Sequence, residues 1–188
     1  MKLLTKLIAS LFLCCNAALA QNAPLSIGDN AAELIQATDS LGREARFESL
    51  KETGGLILIF TRSADWCQYC IGQLKDWNNH VDAVREAGYG LAALSYDSVG
   101  TLAKFEKAND LRYMLLSDTQ SRVIDAFGIR NTRFDEGSRF YGIPNPAIYV
   151  LDANGVITHI FKEEGYKERP QPADVIGAIT QPQESGDE

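Results

Sequence analysis

Two cysteines, Cys67 and Cys70, stand two residues apart in Trp66-Cys67-Gln68-Tyr69-Cys70. Such a pair can hold two electrons as thiols and release them by closing a disulfide. The thiolate is the reactive form, so the chemistry depends on what stabilises a negative sulfur at this place. Residues 56–60, Leu-Ile-Leu-Ile-Phe, are an unbroken apolar run that predicts a strand buried on both faces. A polar turn over residues 61–65 follows. From Ile71 the apolar positions Leu74, Trp77, Val81 and Val84 recur at three- and four-residue steps, the period of a helix. The pair therefore lies where a buried strand passes into a helix N-terminus, whose unpaired N–H groups and dipole favour an anion. Cys67 falls at or just before the first turn, and Cys70 lies three residues on along the same face, close enough to close a bridge. The spacing predicts a redox-active dithiol that cycles between thiols and disulfide.

A Cys-x-x-Cys pair is also half of a zinc site. No second cysteine pair follows, and His80 lies ten residues past Cys70, about 15 Å along a helix axis. His159 falls in a predicted strand. Covalent haem attachment requires histidine directly after the second cysteine, where this chain has Ile71. The reading is therefore no metal and no cofactor.

The N-terminus predicts a signal peptide over residues 1–20. Lys2 and Lys6 form a basic start, residues 7–15 an apolar core too short to span a bilayer, and Ala18-Leu19-Ala20 a small-residue cleavage site. Export to the periplasm is expected, with no membrane insertion once the signal is cleaved. Cleavage leaves 168 of the 188 residues, and loss of the two lysines moves the formal charge from −7 to −9. An acidic chain of this kind argues against nucleic acid and anionic membranes as partners. Cys14 and Cys15 leave with the signal, so Cys67 and Cys70 remain as the only cysteines. A bridge closing so short a loop gains little entropy, which makes a purely structural staple a poor use of it.

The remaining elements follow from period and punctuation. Residues 21–30 are a polar, extended lead-in. Short strands at 34–38 and 45–47 flank the turn Asp39-Ser40-Leu41-Gly42, and a helical turn covers 49–52. One helix is predicted over 68–87, stopped at Gly88, then a strand at 90–96 and a helix at 98–109. A strand at 114–116 and a short helix at 120–127 come next. Residues 129–142 break the pattern as a polar loop with interleaved aromatics. Strands at 147–151 and 156–161 are joined by Asp152-Ala153-Asn154-Gly155, whose Asn-Gly favours a tight hairpin. A last helix covers 172–180, and residues 181–188 form an acidic tail expected to be disordered. The prediction is one α/β domain over residues 31–180, a mixed central sheet flanked by helices.

This order, with Trp-Cys-x-x-Cys after the first long buried strand, resembles the thioredoxin superfamily over roughly residues 31–180. Within it the chain is similar to the peroxiredoxin branch (AhpC/TSA, redoxin) and to exported thioredoxin-like reductases. The resemblance implies a thioredoxin-like fold and an oxidoreductase. Its first form is an exported thiol-disulfide oxidoreductase acting on protein thiols or disulfides through a mixed disulfide. Cys67 is then the exposed nucleophile and Cys70 the resolving thiol. The same resemblance places a cis-proline opposite the pair at Pro146, with Pro144 second, and implies that the backbone of Asn145 pairs with an incoming chain. Its second form is an antioxidant peroxiredoxin that reduces hydroperoxides, with Cys70 peroxidatic and Cys67 resolving. Here the chain departs from the family pattern. Cys67 stands in place of a threonine or serine, Ser63 in place of a proline, and Pro146 in place of the peroxide-polarising arginine. Arg62, Arg130, Arg133 and Arg139 are the substitutes considered. Both forms require a separate reducing partner. A third reading, from a different class, is a non-catalytic binding module with a static disulfide.

Other residues carry smaller expectations. Trp66 would cover the exposed sulfur and help form a substrate surface. Asp65 reads as a solvated turn acid beside the pair, and Glu48 and Glu52 as surface acids. The polar loop over 130–142 would contact partner proteins.

Overall fold

A computed structural model describes residues 23–162, 165 and 167–181. The predicted signal (residues 1–20) and residues 182–188 of the predicted tail lie outside the described residues. The described chain opens with β1 (Gln36–Asp39), β2 (Glu44–Arg46), α1 (Phe47–Leu50) and β3 (Gly55–Phe60). It continues with α2 (Gln68–Asn79), α3 (Val81–Glu86), β4 (Tyr89–Ser95), α4 (Val99–Asn109), β5 (Met114–Ser117) and α5 (Arg122–Ala126). β6 (Ala147–Asp152), β7 (Ile157–Phe161) and α6 (Pro172–Thr180) complete it.

The strands hydrogen-bond in two runs, β2-β1-β5-β4 and β3-β6-β7, and β3 lies beside β4 to join them. The junction is held just past β3, where Thr61 N–H donates to Leu94 O at 2.9 Å. β4 and β5 are parallel while the other ladder pairs are antiparallel, so the sheet is mixed. All six residues of β3 are buried, because successive side chains enter opposite cores. Leu56, Leu58 and Phe60 pack with Phe47, Phe127 and Tyr149 on one face. Ile57 and Ile59 meet Leu74, Trp77 and Val84 of the helices on the other. A strand buried on both faces reads as a continuous apolar run, which is how it is found in the sequence.

The single helix expected over residues 68–87 is two helices, broken at His80. His80 N–H bonds Trp77 O rather than the carbonyl one turn back. That carbonyl, Asp76 O, lies 3.0 Å from His80 Nδ1 instead. The imidazole thus replaces its own backbone donor, and the ladder is interrupted for one residue. The lead-in is pinned rather than loose: Gly28 N–H donates to Ile157 O, and Ala31 N–H to Gly155 O, both at 2.9 Å. At the β6–β7 turn Gly155 adopts φ +82, and Asp152 Oδ1 accepts from Asn154 and Val156 N–H.

Candidate functional site

The site begins where β3 runs out. Cys67 has extended backbone (φ −94, ψ 95) and is the N-cap of α2, its Sγ accepting the Cys70 N–H at 3.3 Å. Cys70 sits in the first turn, and the two form a disulfide with Cα atoms 5.2 Å apart. The placement matches the sequence expectation for the pair. Its accessibility does not: Cys67 is 4% exposed and Cys70 0%. Cys67 is therefore not an exposed nucleophile. The cap geometry turns its side chain back over the helix end.

That turn is held from below by a buried carboxylate. Asp97, just past β4, accepts from Ser63 Oγ at 2.8 Å, Ala64 N–H at 2.7 Å and Ser95 Oγ at 2.9 Å. Ser63 Oγ in turn accepts the Asp65 N–H at 3.0 Å. Burial pushes the Asp97 carboxyl above its ordinary value, against the lowering effect of these donors. Asp65 itself is exposed, as a solvated turn acid should be.

Trp66 is half-buried, and its ring is engaged by the long loop. Its Nε1–H donates to Tyr96 Oη at 3.0 Å, and Tyr96 O–H donates to Arg139 O at 3.0 Å. The Phe140 ring lies 4.7 Å from it and Phe134 lies 5.2 Å from Phe140. On another side the Arg62 guanidinium stands 5.0 Å from the indole centroid. Phe140 thus packs on Trp66 and Phe134 on Phe140, which docks the loop beside the dithiol. The loop is further tied by the two-pronged ion pair of Arg130 with Asp125 and by Ser121 Oγ donating to Gly142 O at 2.8 Å.

The bond before Pro146 is trans, not the cis bond expected. No peptide bond among the described residues is cis. Asn145 N–H donates to Ile129 O at 2.7 Å, next to a bridge between Arg130 and Pro144, so that donor is already engaged by the chain's own backbone. Asn145 and Pro146 line a cavity of about 620 Å³ with Arg62, Phe134 and Lys162, and neither cysteine lines it. Glu48 pairs with Lys51 at the surface and Glu52 is exposed, as expected. Among the described residues no three His, Cys, Asp or Glu side chains converge on a metal position, and no helix is long and apolar enough to cross a membrane.

Of the four arginines considered from sequence, Arg130 is paired with Asp125, Arg139 lies over the Phe140 ring, Arg62 lies over Trp66 and Arg133 is exposed. A fifth arginine reaches the dithiol. Arg169, between β7 and α6, brings Nη2 to 3.5 Å from Cys70 Sγ. Burial lowers the proton affinity of its guanidinium and the charge of Arg62 acts in the same direction, with Glu168 opposing. Nothing in Lys167-Glu168-Arg169-Pro170 marks it out: it has no motif and no period, and only the packing of this segment against α2 identifies it.

The AhpC/TSA family matches residues 27–160 of the chain. Over 140 residues the chain is 25% identical to the peroxiredoxin Bcp of Escherichia coli K12, covering 74% of this chain and 87% of that protein. Among solved structures, the peroxidoxin BcpB of Mycobacterium tuberculosis superposes with a TM-score of 0.69 at 23% identity, over 82% of this chain and 96% of that one. A peroxiredoxin Q of Xanthomonas campestris superposes at 0.67 with 20% identity, over 84% and 96%. These likenesses extend the thioredoxin-like fold across the whole described sheet.

Proposed function

We propose, from the premise that this chain belongs to the AhpC/TSA family of thiol-dependent peroxidases, that it reduces hydroperoxides with Cys70 as the peroxidatic and Cys67 as the resolving cysteine. The observation that carries the assignment is the burial of the pair, Cys70 at 0% and Cys67 at 4% exposure. A hydroperoxide is small enough to be admitted to such a sulfur, whereas a folded protein disulfide needs an accessible nucleophile. Disulfide exchange on protein substrates, the first expectation from sequence, therefore yields to its alternative.

In the first step the Cys70 thiolate attacks the terminal peroxide oxygen. An S–O bond forms, the O–O bond breaks, and the departing alkoxide or hydroxide takes a proton from water, leaving a sulfenic acid. The Cys67 thiolate then displaces hydroxide from that sulfur and closes the disulfide. Both residues lie in one helix turn with Cα atoms 5.2 Å apart, so resolution requires no approach of a distant element. A small dithiol reductant restores the pair: one thiolate attacks Cys67, the less buried residue, Cys70 leaves as the thiolate, and the reductant's second thiolate then releases Cys67 as the reductant closes its own disulfide. The pattern of residues 1–20 supports action in the periplasm.

Stopped-flow oxidation of the reduced mature protein by hydrogen peroxide, followed by tryptophan fluorescence because Trp66 adjoins Cys67, tests the assignment. Cys70→Ser loses the fast phase. Cys67→Ser keeps it and accumulates a sulfenic acid that dimedone traps. Oxidation no faster than that of a free cysteine thiolate, or a fast phase lost in Cys67→Ser, returns the chain to disulfide exchange.

A further inference from the structure

We infer that Arg169 is the cation that activates Cys70, supplied from the β7–α6 segment. The inference rests on the peroxidatic assignment of Cys70 and adds a residue that the family match, which ends at residue 160, does not contain.

Three observations converge on it. First, Arg169 Nη2 is 3.5 Å from Cys70 Sγ, the distance at which an N–H donor serves a sulfur anion. Second, the guanidinium is half-buried and its Nη1 donates to Glu168 O at 2.6 Å, while Gln171 Nε2 ties down the Arg169 backbone carbonyl at 3.1 Å. A cation fixed in this way loses little freedom when the thiolate forms. Third, Arg62 from the β3–α2 turn is close enough for its charge to act on Arg169. Burial and the charge of Arg62 both disfavour the Arg169 cation and Glu168 favours it, and a negative sulfur on Cys70 favours it further. The helix end contributes in the same sense, since Cys70 lies in the first turn of α2.

The step gives the guanidinium a second use. Negative charge leaves the sulfur and appears on the departing peroxide oxygen as the O–O bond breaks. A guanidinium carries five N–H donors in a fixed fork, so one group can face the sulfur and another the departing oxygen. A lysine would match the charge but not the fork.

The test uses the Cys67→Ser protein, in which Cys70 is a lone thiol, and reads thiolate absorbance against pH alongside the rate with hydrogen peroxide. Arg169→Gln raises the Cys70 pKa by about one pH unit or more and slows oxidation about 100-fold. Arg169→Lys restores most of the pKa and little of the rate. Lys104→Gln, the same charge change at an exposed position on α4, moves neither. A folded Arg169→Gln protein with unchanged thiol pKa and unchanged rate overturns the inference. Where that variant does not fold, Arg169→Met is read the same way. Failure of the peroxidatic assignment looks different: the unsubstituted protein reacts with peroxide no faster than a free thiolate, while the pKa comparison still decides whether Arg169 stabilises the Cys70 anion.

Discussion

Ser63 Oγ donates a 2.8 Å hydrogen bond to Asp97 Oδ1, and this contact joins the end of β4 to the turn that delivers the dithiol. The two residues are 34 positions apart and both are buried. Because Ser63 Oγ also accepts the Asp65 N–H, the carboxylate organises backbone it does not touch.

Replacing Asp97 by Asn should therefore loosen the site at its base. One amide oxygen cannot serve Ser63, Ala64 and Ser95 together, and each orphaned buried donor costs about 1–3 kcal/mol. The pH dependence provides a second reading. Burial raises the folded-state pKa of Asp97 above the ordinary 3.8. The native state then holds its proton more tightly than the unfolded chain, so this group's contribution to stability is largest below the unfolded pKa and falls as pH rises through the raised folded value. Urea unfolding across the acidic range should show that slope in the natural protein and a flatter one in Asp97→Asn. Equal slopes would remove Asp97 as its source.

Tyr96→Phe should free the long loop without disturbing the sheet. The hydroxyl both accepts from Trp66 Nε1 and donates to Arg139 O, so its loss breaks two links between the loop and the indole. Each is worth about 1 kcal/mol. Limited proteolysis within residues 130–142 should become up to about 30-fold faster, the factor that about 2 kcal/mol allows if cleavage tracks local opening. Proteolysis unchanged from the natural protein would mean that Phe140 stacking alone docks the loop.

Gly55→Ala should be among the most damaging single substitutions. Gly55 has φ +130, and a Cβ there would sit 1.9 Å from Leu151 O across the β3–β6 ladder. Relief requires β3 to move away from β6, and the strain plus lost pairing should cost about 3 kcal/mol or more. Circular dichroism and chemical denaturation measure it directly. A variant of near-natural stability would mean that this end of β3 is free to shift.

Arg130→Met should act locally. The guanidinium grips Asp125 with two donors and lies 4.8 Å from the Tyr141 ring centroid, but the Asp125 side chain is 45% exposed, so solvent screens much of the pair. A global loss of at most about 1 kcal/mol is expected. Amide exchange at Asn131, whose N–H donates to Ile143 O, should rise well beyond that global change. Exchange that rises only in step with global stability would contradict the local effect.

Much of the fold could be read from residue order because it rests on local physics. Alternation of side chains across β3 forces the apolar run at residues 56–60, and the helical period after Ile71 follows from one face of α2 and α3 meeting the sheet. Gly88 ends α3 with φ +82, as a residue without Cβ can. The dithiol's position at the strand-to-helix junction came from the same periods. The break at His80 was hidden because it depends on one imidazole reaching one carbonyl, a contact that leaves the apolar period intact. Cys67 could be placed but not its burial, since exposure is set by what packs over a residue. The partners of Asn145 and the trans bond before Pro146 depend likewise on the pairing of residues 129–131 with 143–145. Farthest from reach was Arg169, 99 residues beyond the sulfur it meets. Sequence by itself determined which atoms can carry the redox chemistry and which element ends present them. Only the tertiary structure decided which cation stands beside Cys70, because a contact between segments far apart in the chain leaves no period or spacing in either one.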